Sequence, residues 1–455
     1  MKLYDTLTAK KREFSPAGEQ VKLYVCGVTP YGLCHIGHAL SYVFFDVLRR
    51  YLEFQGYTVD HVQNFTDIDD KIIQRAAELD VPPEELAQRH IDEYFVNMDA
   101  LHVKRARLYP RATQEIPGMV EVIRALVDKG YAYSVDGSVY FRVRKADGYG
   151  RLSHRTLEGM MAGARVAEVP GKEDPLDFAL WKAAKPGEPF WESPWGRGRP
   201  GWHIECTTMS LLHLGETLDI HGGGQDLIFP HHENEIVQSE AYTEVRPFAR
   251  FWVHNGLLQL GEKKMSRSLG NLITVRDALR RYCSDALRLF FLNAHYRSPL
   301  VFGEDALAAS ERAAERLRNA LREGPSSVEG GLDPHPYRQS FLQAMDDDLN
   351  TPQALAVLFD LAREINRSRE AGQGVGEAQE MLRQLGDLLG LTFQERRAGE
   401  ALSPDSFIEL LVATRAELRA AGQYALADQV RARLSELGVV LEDGPEGTQW
   451  RFHSP

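Results

Sequence analysis

Val21-Lys22-Leu23-Tyr24-Val25-Cys26-Gly27-Val28, then Thr29-Pro30-Tyr31-Gly32, then Leu33-Cys34-His35-Ile36-Gly37-His38, is the stretch that decides the fold class of this 455-residue chain. The first eight residues are apolar and β-branched, the pattern of a buried strand, and the next four are turn formers. From Gly37 to Phe54 the apolar residues Ala39, Leu40, Val43, Phe44, Val47, Leu48, Tyr51 and Leu52 recur at helical spacing, and Gly56 stands where a left-handed C-terminal cap belongs. His35 and His38 therefore fall at the start of a helix that follows a strand. Free N–H groups and the positive end of the helix dipole favour a phosphate there, and Gly37 leaves room for a flat base or ribose.

A second strand, Tyr57 to Phe65, leads into Thr66-Asp67-Ile68-Asp69-Asp70 and another helix. Strand, helix, strand in this order implies a parallel pair with a right-handed crossover. Ligands of such sheets bind beyond the carboxyl ends of the strands, where Cys26 to His38 and Thr66 fall. Thr217 to Asp226 repeats the pattern, a short strand opening into Gly222-Gly223-Gly224. No GxGxxG or Walker lysine motif stands at these strand ends, which excludes the dinucleotide and P-loop readings. Far downstream, Lys264-Met265-Ser266-Arg267-Ser268 lies between Gly261-Glu262 and Gly270-Asn271, the flanks of a flexible segment. Together the two clusters predict ATP held by its phosphates between a helix start and a mobile basic loop.

Four cysteines, at 26, 34, 206 and 283, are too few and too scattered for a disulfide framework, and they point to a reducing, cytosolic home. His231 and Glu235 are four apart, so on a helix they share one face, a usual way to present two metal ligands. Free cysteines are often small buried hydrophobes, and spacing alone does not decide between that and ligation.

These segments resemble the class I aminoacyl-tRNA synthetases, and in detail the bacterial cysteinyl-tRNA synthetases. The resemblance runs almost end to end. It is carried by Tyr24-Val25-Cys26-Gly27, Leu33 to His38, Thr66 to Lys71, Pro200-Gly201-Trp202-His203-Ile204-Glu205-Cys206, His221 to Gly224, Phe229 to Glu235 and Lys264 to Asn271. It implies an α/β fold with a Rossmann-type parallel-sheet catalytic domain, an inserted acceptor-end domain, an α-helical bundle and a small α+β anticodon-binding unit. The implied boundaries are 1–110 and 199–260 for the two catalytic halves, with the strands bearing Cys206, the glycine loop and His231 in the second. The insertion is 111–198, the signature loop and stem-contact region 261–303, the bundle 304–400 and the anticodon unit 401–455.

The resemblance selects Cys26 and Cys206 to join His231 and Glu235 around one Zn²⁺. Zinc takes thiolate sulfur readily, so a substrate cysteine could dock through its own sulfur while serine could not, and no editing domain is expected. The implied activity is ATP-dependent attachment of L-cysteine to tRNA-Cys. His35, His38, Lys264, Ser266 and Arg267 would act on the phosphates, with Mg²⁺ bridging them; Arg267 stands where the family usually has lysine, and arginine is bulkier and bidentate. Thr29, Gly37, Gly222, Gly223, Gly224 and Asp226 would also lie along the nucleotide. Thr66, Trp202 and His221 would line the cysteine pocket, and Arg419, Asp428, Asp443 and Trp450 would meet the anticodon. The alternative activity is a cysteine-activating amide ligase of the mycothiol-pathway type, against which the unit from Pro404 onward argues.

Other segments fit this organisation. Ala112 to Lys129 reads as a helix and Tyr131 to Phe141 as a hairpin turned at Asp136-Gly137, while Lys185 to Gly201 reads as a loop returning to the sheet. Ala306–Arg322, Tyr337–Ala344, Pro352–Arg367 and Gly376–Leu389 read as bundle helices, and Gly438 to Trp450 as strand, turn, strand. The net charge of −12 is unusual for an RNA binder, so cations must cluster locally, for which Arg105, Arg107 and Arg111 or Arg276, Arg280 and Arg281 are candidates. No signal peptide, lipid motif or transmembrane run is read in the sequence, and a cytoplasmic monomer is the expectation.

Overall fold

After a short antiparallel pair, β1 (Lys2–Asp5) and β2 (Lys10–Glu13), the opening apolar run forms β3 (Gln20–Val25). The strand is shorter than its sequence suggests: Cys26, Gly27 and Val28 lie beyond its end. The computed structural model describes residues 1–163, 171–260, 263–264, 273–323, 331–394, 404–444 and 447–452, in two compact units, Met1–Glu395 and Arg396–Pro455.

Helix α1 (Ile36–Phe54) follows, with its apolar stripe buried and its start fixed by the two histidines. The His35 ring accepts from the His38 N–H at 3.3 Å and the His38 ring from the His35 N–H at 3.4 Å, a reciprocal cap that satisfies two orphan donors. At the other end Gly56 takes φ +94°. Next come β4 (Thr58–Gln63), α2 (Asp70–Leu79), α3 (Pro83–Ala100) and α4 (Ile116–Asp128). The insertion continues with β5 (Ala132–Val135), β6 (Ser138–Phe141), α5 (Leu157–Gly163), β7 (Phe178–Ala183) and β8 (Gly198–Pro200). The chain then returns through α6 (Trp202–Leu214), β9 (Leu218–Gly224), α7 (Glu233–Thr243) and β10 (Ala249–Asn255).

Four parallel strands, in the order β10-β9-β3-β4, carry the site. Their register sets Tyr24 opposite His221 and Asn255 opposite Gly224, and Cys26 N–H donates to Gly222 O at 3.0 Å just past the end of β3. The carboxyl ends thus bring Cys26, the glycine run and Thr66 to one edge. Gly27 closes that edge: a Cβ there would sit 1.5 Å from the Asn64 carbonyl oxygen. Gly27→Ala must push two backbones apart and is expected to cost about 1–3 kcal/mol, the usual range for overpacking, read as a lower urea midpoint.

Cys206, expected on a strand, lies instead on helix α6, buried with Tyr24 of β3 and Leu218 of β9. The insertion is also more ordered than a helix, a hairpin and a loop. Its strands form a four-stranded antiparallel sheet, β5-β6-β7-β8, so Gly198–Pro200 inside the expected loop is an edge strand. The hairpin turn is where it was expected, with Asp136 and Gly137 both at positive φ (47° and 80°), as a two-residue turn between twisted strands requires. Val139, Phe141, Leu180 and Trp181 of this sheet share a core with Ile116 and Ile123 of α4 and Ile204 of α6.

The rest of the first unit is β11 (Leu258–Leu260), β12 (Lys263–Lys264), α8 (Val275–Arg281), α9 (Ser284–Leu292) and β13 (Leu300–Phe302). The bundle helices α10 (Glu304–Ala320), α11 (His335–Asp346), α12 (Thr351–Glu370) and α13 (Gly376–Leu388) complete it. Their apolar faces join one core with α1 and α9. A fully buried ion cluster fastens that junction. Arg288 of α9 meets Asp46 of α1 at 2.5 Å and donates to the carbonyls of Leu101 and Leu389. Arg50 of α1 also donates to Asp46, at 2.9 Å, and reaches the carbonyls of His102 and Asp387.

The second unit has α14 (Pro404–Ala420), α15 (Tyr424–Glu436) and the antiparallel pair β14 (Val439–Gly444) and β15 (Gly447–Phe452). Ile408, Leu434, Val439 and Leu441 form its small core, with Trp450 packed partly against it. Among the described residues no helix is long and apolar enough to cross a membrane.

Candidate active site and metal centre

At the carboxyl edge of the sheet opens a cavity of about 490 Å³ whose wall includes Cys26, Thr29, His35, Gly37, His38, Trp202, Gly224 and Asp226. The His35 and His38 rings stack with centroids 3.7 Å apart at the first turn of α1. Gly37 and Leu258 are neighbours in the wall: a Cβ on Gly37 would lie 3.8 Å from the Leu258 Cβ and 3.0 Å from the His35 ring. Gly222 and Gly223 are buried behind Gly224; a Cβ on Gly222 would meet Phe45 at 2.3 Å, so this strand end passes the aromatic only as glycine. Asp226 is exposed on the turn after β9. Lys264 pairs with Gln259 in the β11–β12 ribbon, whereas Ser266 and Arg267 lie outside the described residues.

Below the cavity is a cluster of buried metal-type donors. Cys26, His231, His232 and Glu235 each place one donor atom within 4.8 Å of the others. The Cys206 sulfur stands 3.8 Å from that of Cys26. His231 Nε2 lies 3.0 Å from Glu235 Oε1, and His221 Nε2 lies 2.8 Å from Glu235 Oε2. His231 and Glu235 meet as their spacing predicts, although the stretch between them is not one regular helix. Ile228–His232 is a kinked turn in which Phe229 is extended (φ −138°, ψ 131°), and α7 begins only at Glu233.

Burial dictates the charge state of these groups. It pushes the Cys26 thiol and the Glu235 carboxyl well above their ordinary values, and the neighbouring Cys206 sulfur raises Cys26 further. It also drives His221 and His254 down to about 3 and holds His231 and His232 well below the usual imidazole value. By themselves Cys26, Glu235 and these imidazoles are therefore neutral. A divalent cation reverses that balance by stabilising thiolate and carboxylate and accepting imidazole lone pairs, and two thiols with an imidazole and a carboxylate suit zinc.

Trp202 forms part of the wall and stacks on the His231 ring, with centroids 4.1 Å apart. Thr66 (2% exposed) and His221 (0%) stand behind the wall, not in it. In the second unit Arg419 and Asp428 are exposed on α14 and α15, Asp443 is on β14, and Trp450 is half-buried on β15. The cationic tracks expected on the first unit are largely paired off: Arg105 faces Asp99, Arg107 faces Asp60, Arg280 faces Asp277 and Arg281 faces Glu304.

Family models match three stretches of the chain: the tRNA synthetases class I (C) catalytic domain over residues 13–312, the DALR domain over 340–394 and the cysteinyl-tRNA ligase anticodon binding domain over 407–451. A cysteine–tRNA ligase of Dehalococcoides mccartyi is 56% identical over 457 residues, covering 99% of both chains. The chain belongs to the cysteine–tRNA ligase family. A second ligase of this name, from Carboxydothermus hydrogenoformans, is 48% identical over 99% of the chain and 100% of its own length. Among solved structures, Mycobacterium tuberculosis methionyl-tRNA synthetase with methionyl-adenylate superposes on this ligase-family chain with a TM-score of 0.59 over 81% of it and 89% of the other, at 15% identity, a likeness of fold.

Sequence reasoning missed His232 and His254 in this cysteine–tRNA ligase family site. His232 Nε2 is 3.2 Å from the Cys26 sulfur, and its Nδ1 is 2.8 Å from His254 Nε2, whose other nitrogen meets the Thr6 hydroxyl at 2.8 Å. The only local signal was the His231-His232 doublet. Its partner stands on a different strand, β10.

Proposed function

We propose that the chain joins L-cysteine to tRNA-Cys in two steps at this cavity. What supports the reading is the cluster of Cys26, His231, His232 and Glu235, with the Cys206 sulfur 3.8 Å from that of Cys26, beneath a cavity lined by His35, Gly37 and His38. In the first step a carboxylate oxygen of cysteine attacks the α-phosphorus of ATP in line, the bond to the bridging oxygen breaks, and pyrophosphate leaves. His35 and His38 at the N-terminus of α1, and Lys264, Ser266 and Arg267 of the signature loop, stabilise the charge that develops on the phosphate oxygens. Thr29, Gly37, Gly222, Gly223, Gly224 and Asp226 accommodate the adenylate, and Mg²⁺ brought by the nucleotide would offset phosphate charge. In the second step a hydroxyl of the terminal adenosine of tRNA attacks the carbonyl carbon of the adenylate and AMP leaves.

Cys26, Cys206, His231 and Glu235 would hold a zinc ion, which would supply a borderline-soft Lewis acid that prefers a thiol substrate to its hydroxyl analogue. The remaining side chains orient that set. His232 hydrogen-bonds the Cys26 sulfur and His221 fixes the second oxygen of Glu235, so His221 acts through Glu235 from behind the wall. Trp202 holds the His231 ring by stacking and covers the cysteine, and Thr66 supports the wall beneath Val28, to whose carbonyl its N–H donates at 3.2 Å.

We assign residues 111–198 to the acceptor end, 304–400 to the tRNA stem, and Arg419, Asp428, Asp443 and Trp450 to the anticodon, with a monomer in the cytoplasm as the working form. The test is attachment of labelled cysteine to a tRNA-Cys transcript with serine as competitor. Charging with cysteine and not serine is the expected result. Cysteine-dependent pyrophosphate exchange without charging would move the assignment to the amide-forming ligase, which the match to an anticodon-binding domain at 407–451 disfavours.

A further inference from the structure

His231 and Glu235 converge, yet the backbone between them does not by itself fix their geometry, because Phe229 is extended and helix α7 starts only at Glu233. Another element of the insertion grips this stretch. Tyr149 donates to the Asn234 side-chain oxygen at 2.6 Å. Glu233, fully buried, receives the Ser153 N–H and hydroxyl on one oxygen, both at 2.8 Å, and the Leu152 N–H on the other at 3.4 Å. The Arg155 guanidinium lies over the Phe229 ring at 4.9 Å, and Arg151 pairs with Glu240, about two turns further along α7. Between these ties, Leu152 is fully buried in the same cluster as Tyr24, Cys26 and Cys206.

The loop that makes these contacts is closed on itself. Gly150 has φ +97°, Arg155 N–H donates to Gly150 O at 3.0 Å, and a Cβ on Gly150 would stand 2.1 Å from the Arg155 carbonyl oxygen. The far end, His154 Nε2, is 2.9 Å from the Thr6 carbonyl, and Thr6 is the residue that meets His254. The loop therefore touches the donor cluster on two sides: through Glu233 and Asn234 to His231 and Glu235, and through Thr6 and His254 to His232 and Cys26.

We propose that residues 149–155 form a positioning strap for the metal centre, holding the turn from Phe229 to Glu235 so that His231 and Glu235 present their donor atoms together, and thereby setting the affinity for cysteine. The proposal rests on the reading of that centre as a zinc site that takes the substrate thiol. Tyr149, Ser153 and Glu233 act through the ligands and touch neither substrate nor metal. Hydrogen bonds to a buried carboxylate are among the stronger ones, and partners that orient metal ligands typically govern affinity by about 10- to 100-fold.

The experiment compares the full-length wild type with Tyr149→Phe/Ser153→Ala, which removes two hydroxyls, and with Gly150→Ala, which strains the loop and removes no tie. Three quantities are read: the rate of zinc release to a chelator, and the KM values for cysteine and for ATP in pyrophosphate exchange. Both variants are expected to release zinc about tenfold faster and to raise the cysteine KM about tenfold, with the ATP KM unchanged. Tyr149→Phe/Ser153→Thr, which restores one hydroxyl, recovers part of both. Tyr133→Phe, which removes a buried hydrogen bond to Asp177 elsewhere in the insertion, leaves all three at wild-type values. Zinc release and cysteine KM within twofold of wild type in both variants would overturn the strap while leaving the zinc reading intact. A wild-type protein that binds no zinc would instead overturn that reading and the strap with it.

Discussion

Cys26→Ala is expected to lower kcat/KM for cysteine by about 10⁴-fold, the loss typical of a site built to bond one substrate group when that bond can no longer form. Cys26 is the donor nearest the cavity: it lines the wall, and its sulfur lies 3.2 Å from His232 Nε2, 3.7 Å from Glu235 Oε1 and 3.8 Å from the Cys206 sulfur. Alanine removes one thiolate from the set and leaves only Cys206, His231 and Glu235, three ligands where a closed zinc site takes four. Zinc content should fall from one per chain, and treatment of the wild type with a chelator should reproduce the loss until zinc is restored. Alanine fills less volume than cysteine, but the cavity left by one sulfur cannot account for such a change. Cysteine-dependent pyrophosphate exchange within tenfold of wild type, with zinc still bound, would remove Cys26 from the metal set.

Asp46→Asn is expected to destabilise the first unit by about 3–5 kcal/mol, the usual result of breaking a buried ion pair from one side. The carboxylate stands between two guanidiniums, Arg288 at 2.5 Å and Arg50 at 2.9 Å, and accepts the Lys104 N–H at 2.9 Å. Asparagine keeps the shape and abandons both charges. Burial alone would raise the Asp46 carboxyl, but Arg288 and Arg50 outweigh it and hold it below the ordinary carboxylate value. A group depressed in the folded state stabilises the protein fully above its unfolded value, near pH 4, and that contribution is lost as pH falls through the lower folded value. The gap in urea midpoint between wild type and Asp46→Asn should therefore be constant from pH 8 to about pH 5 and close on further acidification. The double variant Asp46→Asn/Arg288→Met should be more stable than Asp46→Asn alone; a single variant within 1 kcal/mol of wild type would show that the cluster is not doing this work.

What could be read in the chain was what repeats at short range. The apolar run from Val21, the helical spacing from Ala39 to Leu52 and the Asp136-Gly137 turn each write their geometry locally, and the parallel β3–β4 pair follows from chain order. The helix that carries Cys206 is hard to read because Trp202 to Leu214 buries the polar Glu205, Thr207, Thr208 and Ser210 among its apolar residues and exposes Leu212, so it has no clean apolar stripe. Strand β7 is mostly apolar but lacks the alternating burial that marks a half-buried strand, and the three-residue β8 sits among prolines and glycines. His232 with His254, and Ser153 with Glu233, are joined across 22 and 80 residues, and no periodicity encodes such pairs.

The ion cluster at Asp46 also bears on how such enzymes can be recombined. Asp46 lies eleven residues along α1 from His35, about three turns, and its guanidinium partners also hold the carbonyls of Asp387 and Leu389 at the end of α13. The His35 end of the cavity and the close of the bundle are thus joined by one rod. A chimera that took the bundle from another synthetase would leave Arg288 and Arg50 facing foreign carbonyls, so the catalytic sheet and the bundle are best exchanged as a single part.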